Sequence, residues 1–215
     1  MNENAQAAIH GYVTDMLALE HHIETAIAGQ IKDFANAPTW LPDLERIHET
    51  RQVHIEALTA LSERRELGGQ GIAGAVKKAA ASVLGLGAAA VDLVRTEDVP
   101  KNLRDDYAAI SLSCVGYLML HTTALSLGDT EVATLAQRHY NDEAKMLMTL
   151  QRIIPEAVVS FLNEDGMPAR ADVLPDIHRS VHAAWTSERS EGGINQLPMA
   201  DDLNMSRPHV ATLEA

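Results

Sequence analysis

The sequence predicts an all-α protein: a bundle of four long amphipathic helices, with a long helical crossover between the second and third, then a C-terminal helix and an extended tail. Three observations carry this reading. Apolar residues recur at alternating steps of three and four through four separate stretches, and no stretch alternates with period two for long. The stretches pair through short breaks near residues 35–42 and 126–129, so the members of each pair lie antiparallel. The connection between the pairs, residues 68–102, is long enough to run back along most of the bundle.

The first helix spans residues 5–34, with Ile9, Val13, Met16, Ile23, Ile27, Ile31 and Phe34 on one face and Glu20 interrupting them halfway. Asn36, Pro38 and Thr39 break the chain, and Pro42 fits the first turn of the next helix, where its missing N–H costs nothing. That second helix runs from about Trp40 to Leu67, with Trp40, Leu44, Ile47, Leu58 and Leu61 aligned and Arg51 and His54 in the middle of the stripe. Gly68 and Gly69 stop it. Within the crossover, residues 72–96 read as an Ala- and Gly-rich helix bent near Gly85-Leu86-Gly87, a packing helix rather than a membrane anchor.

The third helix places Leu103, Tyr107, Ile110, Cys114, Tyr117, His121 and Ala124 on one face; the two tyrosine hydroxyls need partners if buried. Ser126-Leu127-Gly128-Asp129 turns the chain into the fourth, which aligns Val132, Leu135, His139, Glu143, Met146, Leu150 and Ile153. Pro155 is expected to break or kink this helix. A loop at 163–166 leads to one more amphipathic helix marked by Val173, Ile177, Val181 and Trp185, and the polar stretch from Ser187 reads as a flexible or partner-dependent arm. The chain thus divides into a bundle, 1–162 with its crossover, and a C-terminal helix and arm, 163–215.

Composition narrows the function. Thirty acidic residues against 17 Lys and Arg give a formal net charge of −13, which disfavours nucleic acid as a partner. One cysteine, Cys114, forbids an internal disulfide; the N-terminal residues lack a secretory pattern, and no segment reads as a membrane span. A cytoplasmic protein is the expectation.

The polar residues inside apolar stripes are the functional clue. Glu20, Arg51, His54, Cys114 and Glu143 fall near mid-helix and face one another in the expected topology; His121 and His139 lie one to two turns away. Buried charge is costly unless paired or metal-bound. Arg51 cannot bind a cation, but its guanidinium can bridge Glu20 and Glu143. Glu20, His54, His139 and Glu143 also form a candidate metal set, two carboxylates and two imidazoles. His178 and His182, four apart on the C-terminal helix, form a second candidate pair.

The segments MLALEHHIE (16–24), HETRQVHIEAL (48–58) and VGYLMLHTTALSLGDTEVATLAQRHYNDEAKMLMTL (115–150) resemble the ferritin-like superfamily, and within it the bacterial stress-induced YciF-like branch. The resemblance implies a pair of Fe or Mn ions held by a Glu from each of two helices and a Glu-x-x-His from each of the others. Carried over by residue, Glu20, His54 and Glu143 match. Arg51 stands where the second helix should offer Glu, Met146 where the fourth should offer His, and Ile110 or Ser113 where the third should offer a carboxylate.

Two functions stay open. One is a stress-related structural or interaction protein in which an Arg–carboxylate–His cluster replaces some or all of the metal, with no cofactor. The other is an Fe- or Mn-dependent oxidoreductase or peroxide-handling protein using Glu20, His54, His139 and Glu143. Either is expected as a homo-oligomer, a dimer formed through the crossover or the last helix, with the C-terminal arm free for an unknown protein partner.

Overall fold

A computed structural model describes residues 2–33, 38–65 and 98–186, which are helices joined by turns, with no strand among them. In chain order the helices are α1 (Glu3–Asp33), α2 (Leu41–Arg64), α3 (Asp98–Ser126), α4 (Thr130–Glu164) and α5 (Leu174–Thr186), the last preceded by a 3-10 turn at Ala171–Val173. The expected crossover helix and its bend, Phe34, and the tail from residue 187 lie outside the described residues.

The chain divides into two compact units, Met1–Ala171 and Asp172–Ala215. The first holds the four long helices. In the second, α5 buries none of its residues, and Trp185 is 66% exposed.

Local signals set the ends of these helices. Asn2 caps α1, its side-chain oxygen accepting the Ala5 N–H at 2.9 Å. Pro42 sits in the first turn of α2. Gly128 takes φ +77°, which lets the Asp129 N–H reach the Ala124 carbonyl at 2.8 Å and closes α3. Asp129 then caps α4 by accepting the Val132 N–H at 3.2 Å, while Arg65, just past α2, forks onto its carboxylate. Pro155 does not break α4, which runs through it to Glu164. Ile153 and Ala157, buried on either side, hold the helix to the core across the missing N–H.

Cross-helix contacts give the directions. Arg51 meets Glu20 and His48 meets Glu24, so α2 runs antiparallel to α1. Gln30 bonds Asp106 and Glu20 bonds Tyr117, so α3 also runs antiparallel to α1. Asp43 meets Arg152 and Arg64 meets Glu131, which makes α4 antiparallel to α2. Consequently α2 and α3 are parallel, and the end of α2 and the start of α3 lie at opposite ends of the bundle. At about 1.5 Å per residue, those ends are roughly 36 Å apart, the length of α2.

The core is aliphatic, with Val13, Ile27, Leu44, Leu58, Leu103, Ile110 and Leu150 at 0% exposure. Each contributes about 1.5–3 kcal/mol relative to an exposed position. At Gly116 an added Cβ would lie 2.5 Å from the Met16 sulfur, so α1 and α3 approach each other closely there.

Among the described residues one helix, Val99–Ser126, is long and apolar enough to cross a membrane by length and composition. Its inward face nonetheless carries the buried polar residues Asp106, Ser113 and Tyr117, which bond to the other helices.

Candidate functional site

Four helices bring seven polar side chains to the middle of the bundle. Met16, Leu17, Ile23, Ile47 and Leu58 are core residues, so the helix period that buries them also turns Glu20, Arg51 and His54 inward. On the other pair, the period that buries Ile110, Leu120, Ala136, Met146 and Leu150 does the same for Ser113, Tyr117, His139 and Glu143. All seven are at most 1% exposed.

Arg51 is the hub. Its Nη1 donates to Glu20 Oε2 at 2.8 Å, to Glu143 Oε1 at 2.6 Å and, more weakly, to Ser113 Oγ at 3.3 Å. Its Nη2 donates to Glu143 Oε2 at 2.5 Å, completing a two-pronged grip on that carboxylate. The Ser113 hydroxyl donates to Glu143 Oε1 at 2.9 Å. Glu20 turns its other oxygen the opposite way, where Oε1 accepts from the Tyr117 hydroxyl at 2.5 Å and from His54 Nδ1 at 3.0 Å. A carboxylate has no proton to give, so Nδ1 of His54 carries the hydrogen.

Burial pushes the Arg51 charge to be lost, but Glu20 and Glu143 outweigh it and hold the guanidinium protonated. Glu20 is likewise pushed up by burial and pulled down further by Arg51 and His54, so it stays a carboxylate. Glu143 is pushed up to about 7, burial outweighing Arg51. One guanidinium facing two carboxylates leaves a negative charge over, which makes Glu143 harder to ionise beside Glu20.

On the far side of Glu20 the polar atoms run out of partners. The His54 and His139 rings stack with centroids 3.8 Å apart and planes 11° from parallel, and Tyr117 lies beside the stack, perpendicular to His139 with centroids 5.0 Å apart. Neither nitrogen of His139 has a hydrogen-bond partner, nor does Nε2 of His54, whose nearest acceptor is Asp142 Oδ2 at 3.6 Å. Burial pushes His139 down to about 3, so its ring is neutral.

Set against the sequence, the structure assembles Glu20, Arg51, His54, His139 and Glu143, with His139 at the same level rather than a turn or two away. Cys114 is different: it is only half-buried, and Ser113 takes the inward position beside Glu143. The inward stripe of α3 is Leu103, Asp106, Ile110, Ser113, Tyr117, Leu120 and Ala124. It shares four positions with the expected stripe and is rotated by one residue at the other three. Tyr107 and His121 are therefore half-buried at the edges, where Tyr107 accepts from Gln151 and His121 Nδ1 lies 2.8 Å from the Ala133 carbonyl. His178 and His182 lie on α5, in the second unit, half-buried and exposed respectively.

The two-ion centre implied by resemblance does not fit these residues. Arg51 fills the space between Glu20 and Glu143 with fixed positive charge, and Ser113 and Met146 offer neither carboxylate nor imidazole. Glu20, His54 and His139 are a separate matter: one donor atom from each lies within 4.8 Å of the other two.

Comparison with known proteins gives a family and a fold. A family model described as a domain of unknown function, DUF892, matches residues 6–163. The crystal structure of a protein from Xanthomonas campestris, 20% identical, matches with a TM-score of 0.59 over 76% of this chain and 99% of that one. That likeness concerns the fold alone. No curated protein matches.

Proposed function

The chain belongs to the DUF892 family, and on that footing we propose that it is a ferritin-like bundle in which Arg51, held by Glu20 and Glu143, has taken the place of a di-metal centre. Its role is then structural or interactive, in a stress-related setting and in the cytoplasm. The observation that carries this reading is the position of Arg51: at 0% exposure, its guanidinium bonds Glu20 and Glu143, the two carboxylates of that ligand set that this chain retains. A buried charge of this kind fixes which faces of the four helices meet, since any other register strands it without a partner.

Dimer assembly belongs to the same reading. The outward face of α3 leaves Leu112, Val115, Leu118, Met119 and Leu125 about half exposed, an apolar face of the kind that marks protein contacts.

The test is elemental analysis of untagged protein together with assays of oxygen and peroxide consumption. The reading expects fewer than two metal ions per chain and no turnover. Two tightly held Fe or Mn ions per chain with peroxide turnover would replace it with the oxidoreductase.

A further inference from the structure

We infer that Glu20, His54 and His139 form a binding site for a single divalent first-row transition-metal ion, beside the Arg51 bridge and distinct from a two-ion centre. The inference rests on the reading of Arg51 above, which limits the site to one ion.

The first ground is the state of the imidazoles. His139 is 0% exposed and both of its ring nitrogens lack partners, and Nε2 of His54 is in the same position. Leaving a buried polar atom unsatisfied costs about 1–3 kcal/mol, and His139 alone holds two such atoms on a ring with one donor atom within 4.8 Å of donors from Glu20 and His54. A cation accepting the lone pair of one His139 nitrogen removes part of that cost.

The second ground is the donor geometry. Glu20 Oε1 and His54 Nδ1, now hydrogen-bonded at 3.0 Å, are within about half an ångström of the roughly 3.4 Å that two ligands on one tetrahedral ion span. With an ion on Nδ1, the proton of His54 moves to Nε2, which faces Asp142 Oδ2 at 3.6 Å. At 3.6 Å this is an ion-pair distance and not a hydrogen bond; an approach of about half an ångström would make Asp142 the carboxylate that orients a metal-binding imidazole. As the rings stand, nearly parallel, their lone pairs do not converge. His139 has to turn about its Cβ–Cγ bond, and it gives up no hydrogen bond in doing so.

Charge and access agree. Glu20, Glu143 and Asp142 carry three negative charges when ionised, against one positive charge on Arg51 and one on Lys145, which bonds Asp142 at 2.9 Å, so the group is left net negative, which favours a cation. Asp142 also lines an open cleft of about 130 Å³ between α2 and α4, with Thr50 and Met146 in its wall, so the ring of His54 is one side chain away from solvent. Two imidazoles and a carboxylate suit Fe, Co or Zn better than Mg or Ca.

The experiment is a titration of chelator-stripped, untagged full-length protein with Co²⁺, followed by visible d–d absorption and by inductively coupled plasma mass spectrometry after gel filtration with Zn²⁺. One equivalent is expected. His139→Phe, which keeps a ring in the stack, should lower affinity by more than about a hundredfold, and Asp142→Asn by about ten- to a hundredfold. His178→Ala/His182→Ala should leave the equivalent unchanged. Zero equivalents, or one that survives His139→Phe or disappears in the His178/His182 variant, overturns the inference and leaves the reading of Arg51 standing. Two equivalents in the unmodified protein with a spin-coupled Co²⁺ signal overturn that reading as well.

Discussion

Replacing Arg51 with Met isolates what the charge does, because Met keeps most of the aliphatic stem and the packing around it. The variant loses donations to Glu20, Glu143 and Ser113 and leaves two carboxylates at 0% exposure with no cation between them. Removing one partner from a buried ion pair costs about 3–5 kcal/mol. For a domain of this size, 1 kcal/mol moves Tm by roughly 2–4 °C, so a fall of about 10 °C is expected by far-UV circular dichroism. Urea unfolding at neutral pH should give the same loss as a shift in midpoint with little change in slope. Neutralising the whole group, as Glu20→Gln/Arg51→Met/Glu143→Gln, should recover most of the deficit, because a buried ion cluster is worth little more than the uncharged packing that replaces it. A loss below about 1 kcal/mol for Arg51→Met, or a triple variant no more stable than the single one, would refute the placement of Arg51 between the two carboxylates.

Three further outcomes follow from particular contacts. Tyr117→Phe removes the hydroxyl that donates to Glu20 Oε1 at 2.5 Å and should lower stability by about 1.5–3 kcal/mol in urea unfolding. Asp129→Ala removes both the cap of α4 and the acceptor for Arg65, for a loss of about 1–2 kcal/mol that Asp129→Asn partly restores. Asp106, bonded to Gln30 at 2.9 Å, is pushed up to about 7 by burial. Between roughly pH 4 and 7 the unfolded chain has already released this proton while the folded chain keeps it, so the contribution is fully present below about pH 4 and is lost as pH rises to 7. Asp106→Asn should therefore flatten the stability–pH curve over that range and exceed the unmodified protein at pH 8 by on the order of 2 kcal/mol; an unchanged slope would rule out a protonated Asp106.

How much of this was legible in the sequence depends on the contrast between helix faces. On α1, α2 and α4 the solvent side is polar, so Glu20, Arg51, His54, His139 and Glu143 stood out as interruptions of a clear apolar stripe, and each is buried as expected. On α3 the solvent side is apolar too, with Leu112, Val115, Leu118, Met119 and Leu125 exposed, so two stripes one residue apart fit the pattern equally well. The choice between them decided Cys114 against Ser113 and Tyr107 against Asp106. A better signal was present in Ser113 itself: a small hydroxyl is what remains compatible with the space that Arg51 and Glu143 fill. The stacking of His54 on His139 depends on ring orientation, which no spacing rule reaches. Pro155 does not end the helix because propensity describes an isolated helix, whereas α4 is held along its length by the core.

The parallel run of α2 and α3 means that the bundle is two antiparallel helix pairs, each carrying only part of the ionic group. Glu20, Arg51 and His54 belong to the first pair; Ser113, Tyr117, His139 and Glu143 belong to the second. Within the first alone, Arg51 has one carboxylate and His54 no stacking ring; within the second alone, Glu143 has no cation. Docking the halves is thus the step at which their charges and hydroxyls find each other. Pairs that met out of register by a single turn would be left with stranded charge at the centre, which makes this group a gauge of correct assembly built into the interior itself.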